Sequence, residues 1–217
     1  MPARATPDLR IEPLTEDTWE PLAAMFRERG DPRWCWCQFW RLRSRDFAAL
    51  KVPELRERLH DQAVVATPAR IESDQPSPPS GLVAIERGDD GLEHAVGWVG
   101  LGPRLGFERI VRSRVIPEID DRPVWSIVCF AVSERARRRG IGSRLLAAAV
   151  ECARAWRAAG VEAYPLDLEP GEQVEAGAAY TGTLAMFRRA GFEVAAEHAS
   201  DRTSRHRRVV VRLALGG

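Results

Sequence analysis

The sequence predicts a mixed α/β domain, and three patterns predict it. An apolar run, Ile127 to Val132, stops at a basic turn, and Gly140 and Gly142 then open a long amphipathic helix. A strand, a second helix and a last strand follow that helix. The first half instead gathers strand-like segments around a hairpin signal. The chain has 217 residues, 45% of them hydrophobic, enough to bury one sizeable core. Residues 1–217 therefore read as a single domain.

Taken in order, Leu9 to Ile11 reads as the first strand. Thr15 is a fitting N-cap, and Glu16 and Asp17 complement the dipole of the helix behind it. Trp19, Leu22, Ala23 and Phe26 share one face of that helix, and Gly30 is placed to end it. Pro53 stands where a first-turn proline is tolerated, and Leu55, Leu59 and Ala63 support a second helix. Thr67 to Ser80 carries four prolines among polar residues, which predicts an exposed loop. Leu82–Glu86 and Ala95–Leu101 flank Gly88-Asp89-Asp90-Gly91, a hairpin with a turn longer than two residues.

Trp125 to Val132 is the next strand. From Ser143 to Ala159, residues Leu145, Leu146, Ala149, Val150, Ala153 and Trp156 recur at three- and four-residue steps. That spacing makes one buried helix face, with Gly160 as its stop. Val161–Leu168 reads as a strand, Ala179–Ala190 as a helix and Val209–Leu215 as the final strand. No internal repeat is visible.

Composition excludes several classes. The net charge is +1, so no global basic field points to nucleic acid or an anionic membrane. Lys51 is the only lysine among 32 basic residues, a bias of GC-rich coding that the 31 acidic residues balance. No apolar run reaches membrane-span length, and the N-terminus lacks a signal-peptide core. Four cysteines in a chain this long make no disulfide framework, so a reducing cytoplasm is the expected compartment. The histidines, His60, His94, His198 and His206, are scattered and read as surface residues. Arg202 to Arg208 is a basic stretch before the last strand that reads as a solvated hairpin turn, with phosphate or acidic-substrate binding as the alternative.

The chemistry sits at the Gly-x-Gly turn. A residue without Cβ lets a ligand approach the backbone closely, and first-turn amides of a helix point outward unpaired. The helix dipole favours an anion there, and Arg137, Arg138 and Arg139 add charge at the same spot. The pattern describes a pyrophosphate cradle between a strand and a helix. It is no Walker loop, since Gly-x-x-x-x-Gly-Lys-Ser/Thr is absent. Nor is it a dinucleotide fingerprint, because position 145 holds leucine where a third glycine is needed.

Arg137-Arg138-Arg139-Gly140-Ile141-Gly142 instead resembles the Arg/Gln-x-x-Gly-x-Gly/Ala acyl-CoA motif of the GNAT superfamily of N-acetyltransferases. The elements behind it come in the same order, and Arg188-Arg189-Ala190-Gly191-Phe192 looks like the close of that family's last helix. Trp34-Cys35-Trp36-Cys37-Gln38-Phe39-Trp40 and Pro123–Phe130 are similar to segments of a bacterial subset of the family. The resemblance implies a central, mostly antiparallel mixed sheet of six to seven strands, splayed between the fourth and fifth and flanked by about four helices. It places the cofactor core at about residues 123–192.

Several roles follow from the resemblance alone. Acetyl-CoA is the implied co-substrate, with no metal. Backbone groups of Phe130, Ala131 and Val132 would pair with the pantetheine amides. The segment from Arg137 through Arg138, Arg139, Gly140, Ile141 and Gly142 to Ser143 would hold the pyrophosphate. The family's usual acid, a tyrosine of the closing helix, falls here on Phe187, which cannot donate a proton but would still border the cofactor. Tyr180, with Thr183 beside it, is then the candidate cofactor contact and thiolate donor; core packing accounts for Tyr180 equally well. The strand offers Ser126 and Cys129 but no acid, so no base is assigned. Trp34, Trp36 and Tyr164 are candidate walls of an acceptor pocket, although core packing also explains them.

Zinc fits poorly, since Cys35 and Cys37 have no second pair at metal-site spacing. Cys129 and Cys152 read as small buried hydrophobes. The implied activity is acetyl transfer to a primary amine, of a small molecule or peptide, by direct attack in a ternary complex. The competing reading keeps the fold and drops catalysis, leaving an acyl-CoA sensor or interaction module. No nucleic-acid or membrane partner is expected, and a homodimer stays open.

Overall fold

The computed structural model describes residues 9–28, 32–66, 77–168, 172, 179–198 and 207–216. Seven strands form one sheet there: β1 (Arg10–Pro13), β2 (Gly81–Arg87), β3 (Glu93–Pro103), β4 (Val124–Val132), β5 (Gly160–Ala163), β6 (Glu193–Glu197) and β7 (Val209–Ala214). Their order is β1-β2-β3-β4-β5-β7-β6, antiparallel at every pairing except the parallel β4–β5. The described helices are α1 (Glu16–Arg27), α2 (Ser44–Ala49), α3 (Val52–Ala66), α4 (Glu108–Val111), α5 (Ile141–Ala155) and α6 (Leu184–Arg189). That is six rather than about four, because short helices α2 and α4 sit in segments whose few apolar residues set no long period.

Each face of the sheet carries its own core. Trp19, Leu22, Ala23 and Phe26 of α1 pack with Leu55, Leu59 and Ala63 of α3 over one face. On the other, Leu145, Leu146, Ala149 and Ala153 of α5 pack with Leu184 and Phe187 of α6. The Thr15 amide donates to Thr18 Oγ1 at 2.9 Å, which fixes the start of α1. Gly30 lies outside the described residues.

The site depends on how β4 meets its two neighbours. Toward β3, Leu101 pairs with Ile127 but Gly100 pairs with Cys129, so Val128 is an extra, bulged residue. A bulge bends its strand and inverts the alternation of side chains beyond it. Trp125 and Ile127 accordingly join the α5 core, whereas Cys129 and Ala131 join the α1 core. Toward β5, pairing runs only from Val124–Gly160 to Ile127–Ala163. Beyond the bulge the two strands part, as a sheet splayed between its fourth and fifth strands requires.

Several boundaries differ from the sequence reading. The expected strand 161–168 stops at Ala163, and only Leu166 bridges further, to Thr183 and Arg208. Pro165 breaks the ladder there. Helix α5 ends before Gly160: Arg157 takes a left-handed φ of 56°, and Gly160 opens β5. Ala179–Thr181 forms a 3-10 turn, and α6 begins only at Leu184. Of the loop read at 67–80, residues 67–76 lie outside the described residues, while Pro79 and Ser80 are buried rather than exposed. Strand β6 was not expected, since its exposed Val194 gives no apolar alternation.

Candidate active site

A cleft of about 470 Å³ opens where β4 and β5 part. Its long wall is the β4 segment Cys129–Val132, whose edge toward the cleft has no strand partner past Ile127. Arg137, Gly142 and Met186 line one end. Ala179, Tyr180, Gly182 and Thr183 form a second wall. Pro32, Trp34, Cys35, Cys37, Phe39 and Trp40 close the other end.

The cradle lies at the start of α5. Gly140 is its N-cap with φ 76°, a left-handed conformation costly for other residues. The first helical bond of this turn runs from the Arg144 amide to the Gly140 carbonyl at 3.1 Å, which leaves the amides of Ile141, Gly142 and Ser143 as first-turn donors. A Cβ at Gly142 would meet only Met186 Sδ, at 3.9 Å, so the missing side chain leaves room at the cleft rather than relieving the fold. Ser143 and Arg138 are exposed. The Arg137 Nε points to the Val132 carbonyl at 3.5 Å, along the cleft wall. Arg139 turns away: its guanidinium pairs with Glu86 of β2 at 2.5 and 3.1 Å. Its charge is therefore spent on anchoring the turn to the sheet.

Phe130, Ala131, Val132, Tyr180 and Thr183 all line the cleft. Thr183 also caps α6, its Oγ1 accepting from the Met186 amide at 3.4 Å. Tyr180 is half-buried, and burial pushes its hydroxyl up to about 12, so it stays protonated. Phe187 sits behind the wall, fully buried, packing on Phe130 and Phe192 with ring centroids 6.1 and 5.1 Å apart. It backs the lining residue Phe130 and is not itself part of the lining.

The aromatic stretch divides. Trp34 is 55% exposed and lines the cleft. Trp36 is 3% exposed and points into the α1 core, 6.0 Å from Trp19 and 5.5 Å from Phe26. Left-handed φ values of 44° at Trp36 and 54° at Cys37 turn the chain, so Trp36 leaves the cleft while Phe39 and Trp40 line it. Tyr164 is also no wall. It is buried beneath Trp40, with its hydroxyl shared among Ser126 Oγ at 2.9 Å and Glu162 at 3.2 Å. Its hydroxyl is pushed well above the ordinary range by burial and by the Glu162 charge.

Cysteines form part of the floor. Trp98 Nε1 donates to Cys37 Sγ at 3.0 Å, and Cys37 Sγ lies 3.6 Å from Cys129 Sγ. Burial holds the Cys37 thiol well above its usual value, and contact with Cys37, then burial, does the same for Cys35. These are neutral thiols, not nucleophiles. No group of three or more His, Cys, Asp and Glu among the described residues could hold a metal. His198 is half-buried rather than at the surface, and burial lowers it to about 4. His206 lies outside the described residues.

Sequence reading marks the whole stretch Trp34–Trp40 but takes only Trp34 and Trp36 from it as pocket walls, and it names neither Gly182 nor Met186. Local pattern shows that a segment is aromatic; it does not show which rings a left-handed turn sends into the cleft.

A splayed mixed sheet with a helix-start cradle at the divergence defines an acyltransferase architecture. The chain matches the model of the acetyltransferase (GNAT) family over residues 36–192, and it belongs to that family. Solved structures share the fold across nearly the whole chain. The NatC complex bound to Gag peptide and CoA aligns at TM-score 0.53 and 14% identity, covering 96% of this chain and 99% of that one. A putative phosphinothricin N-acetyltransferase aligns at 0.51 and 15%, covering 97% and 100%. The yncA putative acetyltransferase of Salmonella typhimurium, solved with acetyl-CoA, aligns at 0.51 and 13%, covering 96% and 94%. No curated protein sequence matches.

Proposed function

We propose that this protein is an N-acetyltransferase that moves the acetyl group of acetyl-CoA to a primary amine by direct attack in a ternary complex. The observation that carries the reading is the unpaired β4 edge, Cys129–Val132, running straight to the free amides at Ile141–Ser143. An extended pantetheine fits an unpaired strand edge, and a pyrophosphate fits a helix start. Acetyl-CoA bound there supplies a thioester carbonyl open to attack.

The chain's own groups then divide the work. The β4 backbone orients the thioester. The apolar end of the cleft, from Trp34 to Trp40, excludes water and receives the body of the amine. Tyr180, protonated at neutral pH, donates to the departing sulfur. Among the described residues no Asp, Glu or His lines the cleft, which supports loss of the amine proton through water. Neutral thiols at Cys35 and Cys37 argue against an acyl-cysteine step.

The test is release of free CoA from acetyl-CoA in the presence of a panel of primary amines, with mass detection of the acetylated product. Acetyl-CoA-dependent product with at least one amine class is expected. Tight acetyl-CoA binding with no CoA release from any class would favour a sensor.

A further inference from the structure

Among the described residues the two buried glutamates, Glu162 and Glu86, are matched by arginines. Arg212 and Arg104 reach Glu162, and Arg139 reaches Glu86. The half-buried Arg41, Arg109 and Arg208 have no such partner among the described residues: Arg41 donates to the Ser80 and Leu101 carbonyls away from the cleft, whereas Arg109 and Arg208 lie beside its acceptor end. Arg109 lies against the floor: its Nε donates to the Phe39 carbonyl at 2.6 Å, and its Cζ stands 3.9 Å from the centre of the Phe39 ring. Its backbone amide donates to the Trp40 carbonyl at 3.2 Å. Arg208 lies against the opposite wall, its Nη1 donating to Thr181 Oγ1 at 2.7 Å and to the Tyr164 carbonyl at 3.3 Å.

Neither arginine has a carboxylate within ion-pair distance among the described residues. A guanidinium carries five N–H donors, and each of these two spends only part of them. Both charges act on Tyr180, and both arginines are disfavoured by their burial. Trp40 adds a third donor: it is 9% exposed, lines the cleft, and its indole Nε1 has no acceptor. Both guanidinium groups stand just behind lining residues, Arg109 against Phe39 and Arg208 beside Tyr180, and with the Trp40 N–H they give this end of the cleft donors and positive charge that no carboxylate among the described residues offsets.

We propose that the acceptor is a small amine that also bears a carboxylate on an apolar or aromatic body, an amino-acid-like substrate whose carboxylate Arg109 and Arg208 receive. The aromatic floor of Trp34, Phe39 and Trp40 takes the body, and the carboxylate fixes which way the amine faces. The cleft of about 470 Å³ must also hold the end of the pantetheine, which suits a small molecule better than a folded protein. This inference rests on the acetyltransferase reading of the same cleft.

Product binding tests it without requiring turnover. CoA is first titrated into the protein, and the CoA complex is then titrated with N-acetylphenylalanine or with N-acetylphenethylamine, which share a body and differ in the carboxylate. A charge-assisted pair predicts that the carboxylate form binds about tenfold to a hundredfold more tightly. That preference should collapse in Arg208→Gln and in Arg109→Gln, each with the affinity for CoA retained. Equal affinities, tighter binding of the uncharged product, or binding of neither to the CoA complex overturns the inference. Failure of CoA itself to bind strikes instead at the proposed function.

Discussion

Gly140 and Gly142 stand two residues apart in the cradle, yet the structure assigns them opposite reasons, and substitution separates the two. Gly140 has φ 76° and open space around a would-be Cβ. Gly140→Ala therefore strains only the backbone, at about 1–2 kcal/mol of stability. Gly142 is helical with ordinary φ, and its Cβ would reach nothing nearer than Met186 Sδ at 3.9 Å. Gly142→Ala should thus stabilise the fold by about 0.5–1 kcal/mol, because glycine costs that much inside a helix. The same methyl group intrudes on the cofactor side, and a carboxylate intrudes further. In Gly142→Glu a negative charge stands about 4 Å from a bound pyrophosphate, a repulsion of roughly 4 kcal/mol at an effective dielectric near 20. That is about a thousandfold loss of acetyl-CoA affinity. Urea unfolding measures the first two effects and calorimetry the third. A Gly142→Glu protein that folds and binds acetyl-CoA within about threefold of the parent would refute the cradle assignment.

Other outcomes follow from the same geometry. Tyr180→Phe should lower kcat by about a hundredfold or more while leaving acetyl-CoA affinity near that of the parent; an unchanged kcat removes the hydroxyl from the reaction. Since no acid or histidine among the described residues lines the cleft, kcat/KM should climb with pH up to the pKa of the acceptor's own ammonium. Tyr180, at about 12, adds no descending limb in the working range. A plateau near pH 6–7 that stays put when the acceptor is changed would reveal an enzyme base (about the range of a histidine). Glu162→Gln should cost about 3–5 kcal/mol in urea unfolding. It strips a buried carboxylate from Arg212 at 2.6 Å, Arg104 at 3.3 Å and the Tyr164 hydroxyl at 3.2 Å. A loss below about 1 kcal/mol would mean the network is solvated.

Periodic features were legible in the sequence. The α1, α3 and α5 faces, the β2–β3 hairpin and the Gly-x-Gly turn each follow from local spacing, and each appears at nearly the expected residues. Features set by long-range geometry were not. The extra residue at Val128 is one apolar residue among many in the sequence; only pairing with Gly100 and Leu101 exposes the bulge that opens the cleft. Arg139 looks like a phosphate ligand beside Arg137 and Arg138, but Glu86, 53 residues away, claims it. Trp36 and Tyr164 sit in the expected neighbourhood yet face the core. Arg109 carries no local signal, and Arg208 shows only as the end of a basic stretch that reads first as a solvated turn. They matter because distant segments bring both against residues that line the cleft, with no counter-ion among the described residues.

The measurement closest to the central claim is calorimetric titration of the intact protein with acetyl-CoA, with NAD and ATP as controls. The account predicts selective binding of acetyl-CoA at one site per chain, lost in Gly142→Glu. Equal binding of all three ligands, or no binding of acetyl-CoA, would contradict it.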